Sequence, residues 1–242
     1  MKIFRSILIL FGLIVTACYI VFSMLFFSKQ KDKLICKEMQ VEINDSTNFH
    51  FISEKDVAIM LANSQLTPIG KTLNEIDVQA IEHEIEKQIA VKKVECFKSP
   101  SGSVQIVVFQ RKPFFRIMGQ EDYYIDTEGK RMPTSLQCAA HVPIVTGNTQ
   151  KISLPAIIDF VRYIDKETFW NAQIEQIHIV DSAFVELTPR VGNHQIILGS
   201  FDNYEKKLNK LKNFYIKGMN QMDWNRYKKL DLRYKNQVIG IK

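Results

Sequence analysis

The chain has 242 residues, a formal net charge of +6 and 46% hydrophobic residues; one long apolar stretch near the N-terminus takes a large share of the latter, and the remainder is enough for one or two small domains. The mild basic excess comes without clustered lysine and arginine, which sets nucleic acid aside as a partner. Four cysteines without a CxxC spacing exclude a zinc module and argue against a disulfide framework, although sequence separation alone leaves a single Cys36–Cys96 bridge open.

Ile7 to Phe27 carries no charged side chain. At about 1.5 Å of rise per residue, roughly 20 apolar residues cross the hydrocarbon of a bilayer, so residues 7–27 are expected to form a transmembrane anchor behind a short tail, residues 1–6. Lys2 and Arg5 precede the run and Lys29, Lys31 and Lys33 follow it, so charge asymmetry gives only a small vote on orientation. The expected orientation, tail in the cytoplasm, rests on the globular remainder lying wholly behind the run. Val15, Thr16, Ala17 and Cys18 resemble a lipobox, but Tyr19 to Phe27 stays apolar where a processed lipoprotein has a polar tether. That favours an uncleaved anchor.

Leu34 to Ile43 alternates loosely as a strand and ends at Asn44, Asp45 and Ser46. Ser53, three residues before Asp56, opens a helix through Val57, Ile59, Met60 and Leu61. Pro68 and Gly70 break it before a second helix, with Ile76, Ala80, Ile81, Ile85 and Ile89 on one face and Glu82, Glu84, Glu86 and Lys87 on a solvated one. Val91 to Phe97 and Val104 to Phe109 are strands about a Ser99–Ser103 loop. Strand, helix, helix, strand, strand makes a small α+β unit, two helices covering a three-stranded sheet.

After Arg111, Lys112 and Pro113 the pattern turns to strands. Tyr123 to Ile125 enters a hairpin turning at Glu128-Gly129, and Val142 to Val145 is a strand before Gly147-Asn148. Ser153 and Pro155 open a helix through Ile157, Ile158, Phe160, Val161 and Ile164. Ile174 to Val180, Phe184 to Leu187 and Gln195 to Leu198 follow as strands, then a helix over Asn203 to Tyr215. This helix is basic, with Lys206, Lys207, Lys210, Lys212 and, beyond it, Lys217; its stripe of Leu208, Leu211 and Phe214 faces a core rather than a membrane. Leu230 to Tyr234 and Gln237 to Ile241 end the chain in strand.

Catalytic chemistry is not announced. The histidines, His50, His83, His141, His178 and His194, lie on different elements without HExxH spacing, and neither a GxSxG elbow nor a phosphate-cradling glycine loop occurs. Glu121, Asp122, Asp126 and Glu128 are dense enough for paired carboxylates, but beside a hairpin turn they read as solvated residues. No catalytic, cofactor or metal site is expected. The terminal strand is the more suggestive feature. With Asp231 to Ile241 at a sheet margin, its unpaired backbone groups would accept a partner's strand; the alternative is a strand paired on both sides that merely closes the fold.

Several local words then fall in a telling order: VVFQRKPFFR at 107–116, YIDTEG at 124–129, VPIVTG at 142–147, Ile197 to Gly199 followed by Lys206, Lys207 and Leu208, and LDLRY at 230–234. In this order they resemble the bacterial cell-division proteins FtsQ and DivIB. The resemblance implies an α+β chain of four parts: a cytoplasmic tail (1–6), a transmembrane anchor (7–27), a β-α-α-β-β POTRA domain (33–112) and a strand-rich β domain with two helices (113–242). It also implies a non-enzymatic, cofactor-free scaffold, single-pass in the inner membrane with its C-terminal part periplasmic at the division septum. Such a scaffold binds FtsB/DivIC-like and FtsL-like partners and helps regulate septal peptidoglycan synthesis, while the POTRA domain recruits other division proteins. Carried over position by position, the partner-binding edge is Arg233, Tyr234 and Asn236 in the terminal strand, Arg233 meeting an acidic residue and Tyr234 an apolar one. Lys235 departs from the pattern, standing where relatives often carry Asp or Pro. Two rival classes make different demands. A POTRA-bearing envelope assembly factor calls for repeated POTRA units or a long barrel, and a membrane-tethered wall hydrolase for a clustered nucleophile or metal site.

Overall fold

The computed structural model describes residues 11–24, 34–44, 51–135, 139–219 and 224–242. Residues 11–24 are helical with most side chains exposed, among them Phe11, Leu13, Ile14, Tyr19, Ile20 and Phe22. Among the described residues no helix is long and apolar enough to cross a membrane; the tail and both ends of the expected 7–27 span lie outside them. The chain divides into two compact units, the first ending at Gln110 and the second beginning at Arg111, with Phe51 assigned to the second.

In the first unit, β1 (Glu38–Asn44), α1 (Glu54–Asn63), α2 (Val78–Glu86), β2 (Val91–Lys98) and β3 (Ser103–Gln110) form a sheet of order β1-β3-β2. β1 runs parallel to β3, with Glu38 opposite Ser103, and β2 pairs antiparallel with β3. The first strand is shorter than its alternation suggests, because residues 34–37 make a single bridge, Ile35 to Thr72, rather than a ladder. α1 begins on a reciprocal cap: the Asp56 amide donates to Ser53 Oγ at 3.3 Å, and the Ser53 amide to Asp56 Oδ2 at 2.8 Å. Hydrogen bonds from the Ser53 side chain and backbone hold the Asp56 carboxyl below its usual range.

α2 is shorter than its periodicity predicts. It starts at the Asp77 cap and stops at Glu86, so Ile76 is buried just before it while Ile89, beyond its end, is 61% exposed. Its acidic face also needs correction. Glu82 Oε1 accepts the Cys96 amide at 2.7 Å and Glu86 Oε1 the Val94 amide at 3.2 Å, so two of those acids cover amides on the outer edge of β2. Val57, Leu61, Ile81, Ile85, Val104, Ile106 and Val108 fill the core. Cys36 and Cys96 are buried there as free thiols, which closes the question of a bridge between them.

The second unit carries β4 (Pro113–Ile117), β5 (Tyr123–Asp126), β6 (Arg131–Pro133), β7 (Ile144–Gly147), α3 (Leu154–Lys166), α4 (Thr168–Gln173), β8 (Ile174–Ile179), β9 (Val185–Pro189), β10 (Gln195–Gly199), α5 (Tyr204–Lys217), β11 (Lys229–Asp231) and β12 (Ile239–Ile241). They form one nine-stranded sheet in the order β12-β11-β10-β9-β8-β7-β4-β5-β6. Two helical crossovers join neighbouring parallel strands, β7 to β8 through α3 and α4, and β10 to β11 through α5. Phe160 of α3 packs against Tyr204 of α5 at 5.1 Å between ring centroids, so both crossovers share one layer. Leu208 and Leu211 are fully buried and Phe214 packs at the margin of the same core, which makes the lysine-rich helix a core helix. Burying one such leucine stabilises the fold by about 1.5–3 kcal/mol.

Candidate functional site

β11 lies between β10, to which it is parallel, and β12, to which it is antiparallel. The register sets Lys229 opposite Ile241, Leu230 opposite Gly240 and Asp231 opposite Ile239. The expected single strand from Asp231 to Ile241 is therefore a hairpin, and its second arm, β12, is the margin of the sheet among the described strands. Arg233, Tyr234 and Asn236 stand on the connection between the arms, not in a strand.

The departure has a physical cause. The Leu232 amide still bonds to the Ile197 carbonyl at 2.9 Å. Beyond it, the Lys210 ammonium of α5 donates to the Leu232 carbonyl at 3.2 Å and to the Tyr234 carbonyl, which takes that carbonyl out of any ladder. Asp231, with a side chain 4% exposed, accepts the Arg233 amide at 3.0 Å and the Arg233 guanidinium at 2.6 Å from Nη2. Burial pushes the Asp231 carboxyl up, but hydrogen bonds and charge from Arg233 outweigh it and leave the group below its usual range. The Arg233 stem crosses Gly199, where a Cβ would come within 2.8 Å of Arg233 Cγ, and its guanidinium lies 5.4 Å from the Phe184 ring centre. Arg233 is thus a clamp on the hairpin first. Tyr234, 47% exposed, and the exposed Asn236 keep their side chains outward.

β12 itself, Ile-Gly-Ile, falls within the strand expected over Gln237 to Ile241, but its isoleucines are not among the contact residues that the sequence suggests. Ile239 is half-buried, Ile241 is 43% exposed, and a Cβ on Gly240 would run into the Tyr227 ring at 2.4 Å. The apolar Ile-Gly-Ile within that strand is the signal that the sequence offers. Around this edge Lys228, Lys235 and Lys242 are exposed. Of the acids here, Asp231 is held by Arg233, and Glu186 is paired with Lys229 at 3.4 Å, so the rim is basic.

Of the acids near the β4–β5 hairpin, expected as solvated residues, Glu121, Asp122 and Glu128 are exposed and Asp126 is buried, and all four pair with arginines. Glu121 pairs with Arg131 at 2.7 Å, Asp122 with Arg116 at 2.8 Å, and Asp126 with Arg111 at 2.8 Å, Arg111 reaching Glu128 as well at 3.3 Å. Asp126 is buried and also accepts the Glu128 and Lys130 amides at 2.9 and 2.7 Å, so it builds the turn. The histidines are dispersed. His194 is buried and shares a 2.6 Å hydrogen bond with Tyr215, His178 bonds Thr146 at 2.9 Å, His141 meets Arg190, His83 lies on α2, and His50 falls outside the described residues. Among the described residues no group of His, Cys, Asp and Glu is arranged to hold a metal ion. Burial pushes the Cys96 thiol up to about 12, which keeps it protonated and unreactive at neutral pH.

Residues 34–109 match the model of a POTRA-like domain, and residues 112–240 match the model described as FtsQ/DivIB, C-terminal related. A search of curated proteins finds no match. The order of domains is that of the observed fold, β-α-α-β-β followed by the strand-rich unit. Since the second match spans more than half of the 242 residues, the chain belongs to the FtsQ/DivIB family of non-enzymatic cell-division scaffolds.

Proposed function

We propose that the chain is a septal scaffold of the inner membrane that takes a strand from an FtsB/DivIC-like partner, accompanied by an FtsL-like one, onto β12, and thereby helps regulate septal peptidoglycan synthesis. Residues 7–27 hold it in the membrane with the C-terminal part periplasmic, and the POTRA-like unit receives other division proteins. The observation that carries this reading is the apolar β12 edge with its basic rim, in a domain of the FtsQ/DivIB family. An added strand gains main-chain hydrogen bonds from β12, apolar contact from Ile239 and Ile241, and attraction for acidic side chains from Lys228, Lys235 and Lys242. Tyr234 and Asn236 flank the strand's path, while Arg233 works through the Asp231 clamp that holds the hairpin.

The test is a binding titration of the full chain in detergent with purified FtsB/DivIC-like and FtsL-like proteins. Ile241→Glu puts a charge among the apolar contacts and is expected to weaken binding at least tenfold, with Tyr234→Ala weakening it less. Equal affinity for wild type, Ile241→Glu and Tyr234→Ala sinks the proposed edge.

A further inference from the structure

At one end of the first unit's sheet, three chain segments converge. Residues 34–37 lead into β1 and run against 70–73: the Cys36 amide donates to the Lys71 carbonyl, the Gly70 amide to the Cys36 carbonyl and the Leu73 amide to the Leu34 carbonyl, each at 2.9 Å. The Lys37 amide donates to the Gly102 carbonyl at 3.0 Å, tying in the tip of the β2–β3 hairpin. Ile35 and Ile69 at this end are each 52% exposed. Lys37 and Lys98 beside them are exposed and Lys71 is half-buried, its ammonium donating to the Gln65 carbonyl at 2.9 Å. The acids of this end are Glu38, at the start of β1, and Glu75, which accepts the Thr72 amide at 3.1 Å. Apolar side chains of this kind, rimmed by lysines, suit a lipid interface, where the apolar part sits at the acyl boundary and ammonium groups snorkel to phosphates.

Chain length brings a bilayer to this end. Leu34 follows Phe27 by seven positions, and Lys29, Lys31 and Lys33 lie between them against one acid, Asp32. An extended chain covers about 3.5 Å per residue, so Leu34 stays within roughly 25 Å of the apolar run. Resting on the reading of 7–27 as an anchor, we propose that this end of the POTRA-like unit lies on the membrane, with Ile35 and Ile69 in the interfacial layer and Lys37, Lys71 and Lys98 against anionic headgroups. The contact fixes the height and tilt of the unit above the bilayer. Each lysine near an anionic surface raises the docking equilibrium constant roughly fivefold.

The full chain, reconstituted in bilayers of phosphatidylcholine with phosphatidylglycerol that contain a diazirine phospholipid, tests this by photolabelling and peptide mapping. Labels are expected in 7–27 and also on the peptides holding Ile35 and Ile69. The second set should fall severalfold in pure phosphatidylcholine, in Ile35→Ser/Ile69→Ser and in Lys37→Gln, with the labelling of 7–27 and the circular dichroism unchanged. Labels in 7–27 with none at Ile35 or Ile69, or with a second set indifferent to these variants, overturn the docking and leave the anchor standing. No label in 7–27 overturns the anchor and the docking together.

Discussion

β6 and β12 stand at opposite margins of one sheet, each three residues long, yet they present unlike backbones to an approaching strand. β6 ends in Pro133, which has no N–H to give, and Arg131 lies 2.7 Å from Glu121 and 4.0 Å from the Tyr123 ring centre. β12 is Ile-Gly-Ile, with neither proline nor charge within it. Proline and charge are standard means of refusing a strand, so within one domain the first margin is blunted and the second is left able to pair. The first unit repeats the lesson by other means, covering β2 amides with Glu82 and Glu86. Among the described strands, β2 and β6 are margins that side chains close, and β12 is one that they leave open.

The largest effect comes from breaking the blunted side. Arg111, 10% exposed, holds Asp126, 4% exposed, at 2.8 Å, and Asp126 in turn builds the β5–β6 turn. Removing one partner of a buried pair costs about 3–5 kcal/mol, so Arg111→Ala is expected to lower stability by about 3 kcal/mol in urea unfolding. Hydrogen exchange should quicken over 123–133 before it does over 229–241. A loss below about 0.5 kcal/mol, the range of ordinary surface changes, would show that Asp126 is held by its two amide donors alone.

Much of this contrast was legible in the residues, and the misses have identifiable causes. The strand ends at 230–231 and 239–241 can be read directly, as can the strand-helix-helix-strand-strand order of the first unit, because periodicity and turn residues are local signals. The hairpin was misread as one strand because the forces that bend the chain at Arg233 come from Lys210 on α5 and Gly199 on β10, far away in sequence. Asp126 reads as solvated, like the exposed Glu121, Asp122 and Glu128, because its partner Arg111 stands before β4, and spacing does not say which side chains point together. Ile239 and Ile241 lie inside the expected terminal strand, but an isoleucine in a strand reads as core until the sheet order shows which residues stand at the margin.

A middle-sized effect discriminates the two sides by pH. His194, just before β10, is buried against Tyr215, and burial lowers its pKa from the ordinary 6.5. A base depressed in the folded state binds its proton more readily in the unfolded one. Its contribution is therefore complete above about pH 6.5 and is lost as pH falls below that value toward the folded pKa. Thermal melts from pH 7.5 to 5 should show this loss. Exchange should quicken around 194–199 and the adjoining β11, while 123–133 stays protected. His194→Phe, which has no titrating group, should flatten the profile across that range even where it lowers the melting temperature; a profile that keeps its slope would place the pH sensitivity elsewhere.

The smallest effect is the sharpest test of why the margins differ. Pro133→Thr returns an N–H to β6 at a position that is exposed and at the strand's end, opposite Tyr123 in the register. Stability should change by no more than about 0.5 kcal/mol, as for surface substitutions in general. What should change is association. With the proline gone, β6 offers a further donor to another strand, and sedimentation velocity at high concentration should show a self-associating species that the wild type lacks. Adding Arg131→Val removes the remaining charge from the strand and should strengthen it. If the double variant stays as monodisperse as the wild type, proline and charge are not what close this margin. The openness of β12 would then need a cause other than its lack of them, such as the Tyr227 ring that covers Gly240 and fixes the strand in place.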